Sequence, residues 1–505
     1  MLFKKTIAKN TVFNFIGKAV QILVAVITTP IIIKHLGINL YGVWVLLSAI
    51  TNYYGLFDFG LSGAYIKYIS EYKAKEDWNG LKEVVATGFY SSLLIGLVIY
   101  FLGYLFRNQI LVIVVKNNKN IPNISLVYLG TLLLFCFAYI GQFFQSILNG
   151  YQRMELTNIS IVVQRLLNFI LIVFFLSKNL SLIGLVSAGL VSWVVLIIIN
   201  VYQTKRIFKQ FSLSLINFSK IKFLILMKFG WKMQITSVAG WMLNNLDKIF
   251  LGYFTNTAVV TLYDVAYKIR NFSREPITSY LSTVTPVASE MHAKEDLSAL
   301  KSFYMQYNKY LLIILFPIVG FILSNSANLI KLWVGSSFEV SIVILNILMI
   351  GNILNLLTGC GTSIARGINR PEIEAKYTAL MTFLTIILGY FLTKYYGIKG
   401  IAWGSSISLG IPSVLFIFIF NNYLQINNRD FFDKIIKVPL IAAFLVFGFD
   451  YILNYFYVLN SKSLHTYVFL IAKFIILALI YFIILIKFKY ASFSFLKRKF
   501  FKSED

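Results

Sequence analysis

Acidic residues are scarce in this sequence. Its 505 residues include 20 Asp and Glu against 46 Lys and Arg, a formal net charge of +26, and charged residues of both signs make up only 13%. So few charges cannot solvate a soluble surface of this size. With 58% hydrophobic residues and a mean hydropathy of +0.76, the chain reads as an all-α polytopic membrane protein. The excess of base would point to nucleic acid in a soluble protein; in a membrane protein it is counted by side, and no nucleic-acid partner is expected. The two cysteines, Cys136 and Cys360, sit inside apolar runs, which excludes a disulfide framework. His35, His292 and His465 have no ligand spacing, so no metal site is expected. There is no Gly-x-x-x-x-Gly-Lys-Ser/Thr loop, no nucleophile and base pair, and no soluble segment long enough for a nucleotide domain. The sequence is therefore that of a carrier and not of an enzyme, with no cofactor. No small-residue cleavage site follows Lys4, Lys5 and Lys9, so the first apolar run is expected to stay as an anchor.

What the chain has in abundance is apolar runs of spanning length. Two of them, 12–33 and 41–66, are joined by Leu36-Gly37-Ile38-Asn39-Leu40-Tyr41-Gly42. Others follow at 83–106, 124–148, 158–177, 182–203, 224–251, 257–287, 303–324, 340–365, 377–396, 398–422, 437–457 and 467–486. Together they predict about 14 transmembrane helices. Placing the N-terminus in the cytoplasm puts about 27 basic residues on its side, including the tail Lys497-Arg498-Lys499, against about 9 on the other. Both termini are thus expected in the cytoplasm, with the basic tail anchored near anionic lipid.

An internal repeat organises the runs. Asn149-Gly150-Tyr151-Gln152-Arg153 returns as Arg366-Gly367-Ile368-Asn369-Arg370, the glycine and arginine both shifted by about 217 positions. Ile183-Gly184-Leu185-Val186 matches Lys399-Gly400-Ile401-Ala402, and Leu36-Gly37 matches Leu251-Gly252, at nearly the same offset. These pairs predict two parallel six-helix lobes, 1–210 and 211–425, followed by two further helices and a basic tail in 426–505.

Polar groups concentrate on particular runs. Asn10, Asn14, Lys18, Gln21 and Thr28 fall within roughly 80° of a helical wheel, a stripe that must face protein or water because lipid would cost several kcal/mol. Lys228, Lys232, Thr236, Asn244 and Asp247 form a wider arc of roughly 160°. The run 257–287 carries Asp264, Lys268, Asn271, Arg274, Glu275, Thr278 and Ser282 within roughly 120°. Ser48, Asn52, Gly55 and Asp58 mark the second run, and Gln164, Arg165 and Asn168 the fifth. Bland readings stand beside each: Asp264 and Lys268 neutralising one another, Lys18 snorkelling, Arg165 pairing with Glu155 or a carbonyl, and Asp58, Asp247 and Lys248 lying at an interface. Counted together, Lys18, Arg165, Lys228, Lys232, Lys268, Arg270 and Arg274 outnumber Asp58, Asp247, Asp264 and Glu275. A net cationic cavity suits an anionic substrate, phosphate above all.

With these features the chain resembles the polysaccharide flippases of the multidrug/oligosaccharidyl-lipid/polysaccharide exporter superfamily, specifically the Wzx-type carriers. The likeness rests on Asn14 to Lys18, Pro30, Leu36-Gly37 with Tyr41-Gly42, and Asp58-Phe59-Gly60-Leu61. It continues in Leu246-Asp247-Lys248 with Leu251-Gly252, Tyr263 to Lys268, and Gly397-Ile398-Lys399-Gly400-Ile401-Ala402. The resemblance implies a V-shaped pair of lobes alternating between inward-open and outward-open states in a bacterial cytoplasmic (inner) membrane. It implies a cationic cavity that binds an undecaprenyl-pyrophosphate-linked oligosaccharide, the repeat unit of O-antigen, capsule or a similar polysaccharide, upstream of a polymerase or ligase. Substrate-binding residues would be Asn14, Lys18, Arg165, Lys228, Lys232, Lys268, Arg270 and Arg274. Coupling to H⁺ or Na⁺ would use Asp58, Asp247 or Asp264, and a monomer is expected. A lipid II flippase would share this fold and cavity, whereas a cation-coupled multidrug exporter would carry an acidic one.

Overall fold

The computed structural model describes residues 2–51, 59–115, 121–281, 283–293, 297–456 and 463–490. Within these every regular element is a helix. Hydrophobic runs without water leave the backbone only its own carbonyls to bond, and helices satisfy them locally. The helices are α1 (Leu2–Thr51), α2 (Leu61–Ala74), α3 (Trp78–Leu105), α4 (Arg107–Val115), α5 (Ile124–Gly150), α6 (Met154–Ser177), α7 (Ser181–Ile207) and α8 (Lys220–Phe254). There follow α9 (Thr257–Leu281), α10 (Val284–Ala293), α11 (Leu297–Ser324), α12 (Ser326–Trp333), α13 (Glu339–Leu357), α14 (Gly359–Gly367), α15 (Pro371–Tyr423), α16 (Asn428–Phe431), α17 (Lys437–Phe456) and α18 (Leu464–Lys487).

Ten helical segments among the described residues are long and apolar enough to cross a membrane. The protein is accordingly an all-α, multi-pass membrane protein. Two of its helices exceed any single crossing. At 50 and 53 residues, α1 and α15 would run about 75 to 80 Å against a hydrocarbon core of roughly 30 Å. Each is broken by a glycine in a conformation other residues seldom adopt: Gly37 at φ 75°, ψ 171° and Gly397 at φ 55°, ψ −132°. Both breaks fall where the apolar runs were expected to part.

The run 41–66 is not one helix. Phe59 and Gly60 take positive φ, 47° and 66°, so α2 starts afresh at Leu61. At the break α8 comes close, so that a Cβ on Gly230 of α8 would stand 2.3 Å from the Phe59 carbonyl oxygen. The run 257–287 is likewise divided into α9 and α10, with Thr283 in the turn between them.

Contacts divide the chain into two compact units, Met1–Thr261 and Leu262–Asp505. In the first, α1 packs on α6, α5 and α6 pack on α7, and α3 packs on α5. Its core joins Leu61, Tyr65 and Ile69 of α2 to Val84 and Val85 of α3, Phe143, Phe144 and Ile147 of α5, and Leu226 of α8. Tyr65 meets Phe143 edge-on at 5.2 Å between centroids, a geometry that adds to simple burial. In the second, α13 packs on α15, α10 on α14, and the last hairpin α17–α18 on α11. This contact-based division places α8 with the first unit, whereas the lobes 1–210 and 211–425 follow the sequence repeat; the two partitions answer different questions.

The two turns of the repeated glycine–arginine motif are alike. After α5, Gln152 takes φ 61°, and after α14, Asn369 takes φ 59°. Arg153 N bonds Leu148 O and Arg370 N bonds Ala365 O, each at 2.9 Å, so both helices end in a Schellman-type turn. The glycine carbonyls are capped alike, Gly150 O by Ser70 Oγ at 2.7 Å and Gly367 O by Ser289 Oγ at 2.9 Å. Even the ion pairs match, Arg153 with Glu155 and Arg370 with Glu372.

Candidate anion site

Helix α9 opens on Asn256, whose Oδ1 accepts from Val259 N at 3.0 Å, an N-cap. Two turns in, Asp264 is buried at 1% exposure, and Lys268 Nζ lies 3.1 Å from its Oδ2. The pair is four residues apart on one helix, the spacing at which side chains meet. The mutual neutralisation left open by the sequence is thus present in the structure.

Among the described residues, the next two basic residues form no ion pair of this kind. Arg270 is 4% exposed and faces the Tyr267 ring, its guanidinium carbon 5.1 Å from the centroid. Its Nε and Nη1 lack hydrogen-bond partners, and it makes no ion pair among the described residues. One turn on, Arg274 donates from Nη1 to Asn352 Oδ1 of α13 at 2.9 Å. Asn352 is fully buried, and its Nδ2 donates to Ser273 Oγ at 3.2 Å. Ser273 Oγ in turn donates to the Arg270 carbonyl at 2.6 Å. One arginine is therefore aimed by an amide and the other is held against a ring.

An uncompensated guanidinium away from water is expensive, several kcal/mol after relaxation. Cation–π contact with Tyr267 recovers part of this, about 0.5 to 2 kcal/mol. Chemically, two arginines one turn apart can give several N–H donors to one polyoxygen anion.

The other sequence-derived candidates are placed as follows. Lys18 on α1, Arg165 on α6 and Lys228 on α8 are exposed side chains of the first unit. Beside Lys18, α1 approaches α6 so closely that a Cβ on Gly17 would stand 2.6 Å from Asn158 Oδ1. Asp247 is buried on α8 at 1% exposure. Glu155, named as a partner for Arg165, holds Arg153 Nε at 2.5 Å. Gln164 and Asn168 both donate to Ser192 Oγ, at 3.1 and 3.2 Å, which ties α6 to α7. Asp58 and the side chains of Asn14 and Lys232 lie outside the described residues. Of the candidates, Asp264, Lys268, Arg270 and Arg274 share one helix of the second unit.

Sequence reasoning missed Asn352, an amide in the apolar run 340–365. It also missed a cluster in the last hairpin, where Lys473 of α18 pairs with Asp450 of α17 at 2.7 Å. The available signal was one acid and one base in the middle of apolar stretches, where charge is retained only for a reason.

Comparison with known proteins adds to this geometry. The model of a family described as polysaccharide biosynthesis protein matches residues 7–292. A Shigella flexneri protein described as "Putative O-antigen transporter" is 25% identical over 435 residues, spanning 83% of this chain and 99% of its own length. Among solved structures, the lipid II flippase MurJ in an inward closed conformation aligns with a TM-score of 0.73 at 16% identity, over 98% of this chain and 100% of its own. An inward-facing multidrug resistance MATE family transporter of the MOP superfamily gives 0.67 at 18% identity, over 80% and 94%. At such identities these two structures share the fold with this chain.

Proposed function

Because the chain belongs to the polysaccharide biosynthesis protein family, we propose that it carries a lipid-linked oligosaccharide across a membrane. The substrate is an undecaprenyl-pyrophosphate-linked repeat unit of a surface polysaccharide such as O-antigen or capsule. It crosses the bacterial cytoplasmic membrane by alternating access, with both termini of the carrier in the cytoplasm, and passes to a polymerase or ligase. The carrier acts as a monomer and draws on product consumption or on an H⁺ or Na⁺ gradient, not on catalysis of its own.

The observation that carries this reading is Arg270. A buried guanidinium with two free nitrogens is a standing electrostatic cost unless a ligand supplies the missing negative charge. A diphosphate is the chemical match, since it sheds water on entering and the arginine fork replaces that hydration with charge-assisted hydrogen bonds. Asp264 argues against a cationic drug as cargo, because its carboxylate is already held by Lys268.

The test is complementation of a strain lacking its polysaccharide flippase, with membrane expression of each variant verified. Arg270→Ala and Arg274→Ala should each weaken substrate binding by about 1 to 3 kcal/mol, and the double variant should abolish surface polysaccharide. Wild-type export by the double variant would sink the assignment. Rescue of a strain lacking its lipid II flippase, with no rescue of polysaccharide export, would transfer the site to the peptidoglycan precursor, which bears the same diphosphate.

A further inference from the structure

The buried ion pair of the last hairpin is more than a pair. Lys473 Nζ has three oxygens around it: Asp450 Oδ1 at 2.7 Å, Asn454 Oδ1 at 2.7 Å and Asn325 Oδ1 at 3.1 Å. An ammonium has three N–H donors, and here each has an acceptor. The second carboxylate oxygen, Asp450 Oδ2, accepts from Ser324 Oγ at 2.8 Å and Asn325 Nδ2 at 2.7 Å. Asn454 Nδ2 donates to the Ser324 carbonyl at 2.8 Å and to Asn325 Oδ1 at 3.0 Å.

This closed set fixes which way each amide points. Turning Asn325 over would set its NH2 against the ammonium and its oxygen against Asp450 Oδ2, two repulsions in place of two bonds. Turning Asn454 over would set its NH2 against the ammonium as well, and its oxygen against the Ser324 carbonyl. The bonds to Asp450 Oδ2 and to the Ser324 carbonyl hold the amide oxygens toward the Lys473 position, which is lined by acceptors and suits a positive centre. The backbone places this cluster: α11 ends at Ser324 and α12 begins at Ser326, with Asn325 between them at φ −113°, ψ 18°. Interrupted membrane helices hold small cations on unwound backbone carbonyls and half-helix ends; here the side-chain oxygens beside the interruption take that part. Asp450 is 1% exposed, so its charge must be neutralised in place.

We infer that Asn325, Asp450 and Asn454, with Ser324 behind them, form a monovalent-cation site whose resident cation is the chain's own Lys473 ammonium. The tethered charge makes the docking of α17 and α18 on α11 and α12 independent of ions in solution. Removing the lysine leaves the oxygens in position and admits free Na⁺ or K⁺ in its place. This site is separate from the arginines of α9, and its test does not depend on the transported substrate.

The experiment is thermal unfolding of the purified full-length protein in detergent at pH 8, titrated with NaCl, KCl or choline chloride. The wild type sets the baseline response to the three salts, any Na⁺ held at Asp264 included. Lys473→Ala should unfold at lower temperature in choline chloride and regain stability saturably in NaCl or KCl, the more effective salt identifying the preferred ion. Asp450→Asn/Lys473→Ala should lose that dependence. Equal responses of Lys473→Ala to all three salts, or recovery on acidification alone through protonation of Asp450, would overturn the inference. So would a Lys473→Ala protein that cannot be purified folded in any salt while the double variant can, because then no ion replaces the ammonium.

Discussion

Arg274 and Asn352 are joined by a single hydrogen bond, Nη1 to Oδ1 at 2.9 Å, between α9 and the fully buried face of α13. Because the Asn352 amide also donates to Ser273, the arginine is aimed by a group that adds no negative charge of its own. Supplying a carboxylate there should spoil the site without harming the fold. Asn352→Asp is expected to fold at wild-type level and to lose polysaccharide export. Asn352→Ala should destabilise by about 1 to 3 kcal/mol, the cost of an unmet buried donor. Thermal unfolding together with complementation checks both; full export by Asn352→Asp would show that the Arg274 charge is not used.

Arg270 makes a prediction of opposite sign. Since it carries two unpartnered nitrogens in a buried position, Arg270→Leu should raise stability by about 1 to 4 kcal/mol, as replacing poorly compensated buried charge by apolar groups often does. The same variant should not export polysaccharide. A drop in stability would mean that the guanidinium is structural.

Asp264 can exchange a proton or Na⁺ only by leaving Lys268, 3.1 Å away. If that exchange couples transport to a gradient, Asp264→Asn abolishes the gradient dependence of flipping in reconstituted vesicles. Flipping by the wild type at one rate with and without gradients would remove coupling while leaving the carrier function intact.

Orientation is tested at two described positions on opposite sides of the charge count, Lys75 after α2 and Lys178 after α6. In intact cells, a single cysteine at Lys178 should react with an impermeant thiol reagent and one at Lys75 should not. Labelling at Lys75 from outside reverses the topology.

Much of the architecture is local and was therefore legible. Helix formation in apolar runs, the breaks at Gly37 and Gly397, and the matched turns at Gly150 and Gly367 depend on residues within a few positions of each other. Hydropathy and turn chemistry report such features directly. At Phe59 and Gly60 the hydropathy of the run 41–66 does not change, although the family likeness ends the second helix at Asp58-Phe59-Gly60-Leu61; there Gly60 takes a positive φ and Gly230 of α8 comes up against the Phe59 carbonyl.

For the site, the sequence by itself determined that basic residues outnumber acids on the polar helices, and that Asp264, Lys268, Arg270 and Arg274 share one helix. It could not determine which of those charges are cancelled. That is decided by partners at other positions: Asn352 comes 78 residues after Arg274, and Asn325 lies 148 residues before Lys473. Chain spacing carries no information about such meetings, whereas the energy of a buried charge depends almost wholly on them. Among the described residues, tertiary packing thus gave Arg270 a ring and no ion pair and surrounded Lys473 with oxygen, although both appear in the sequence simply as a base in an apolar helix.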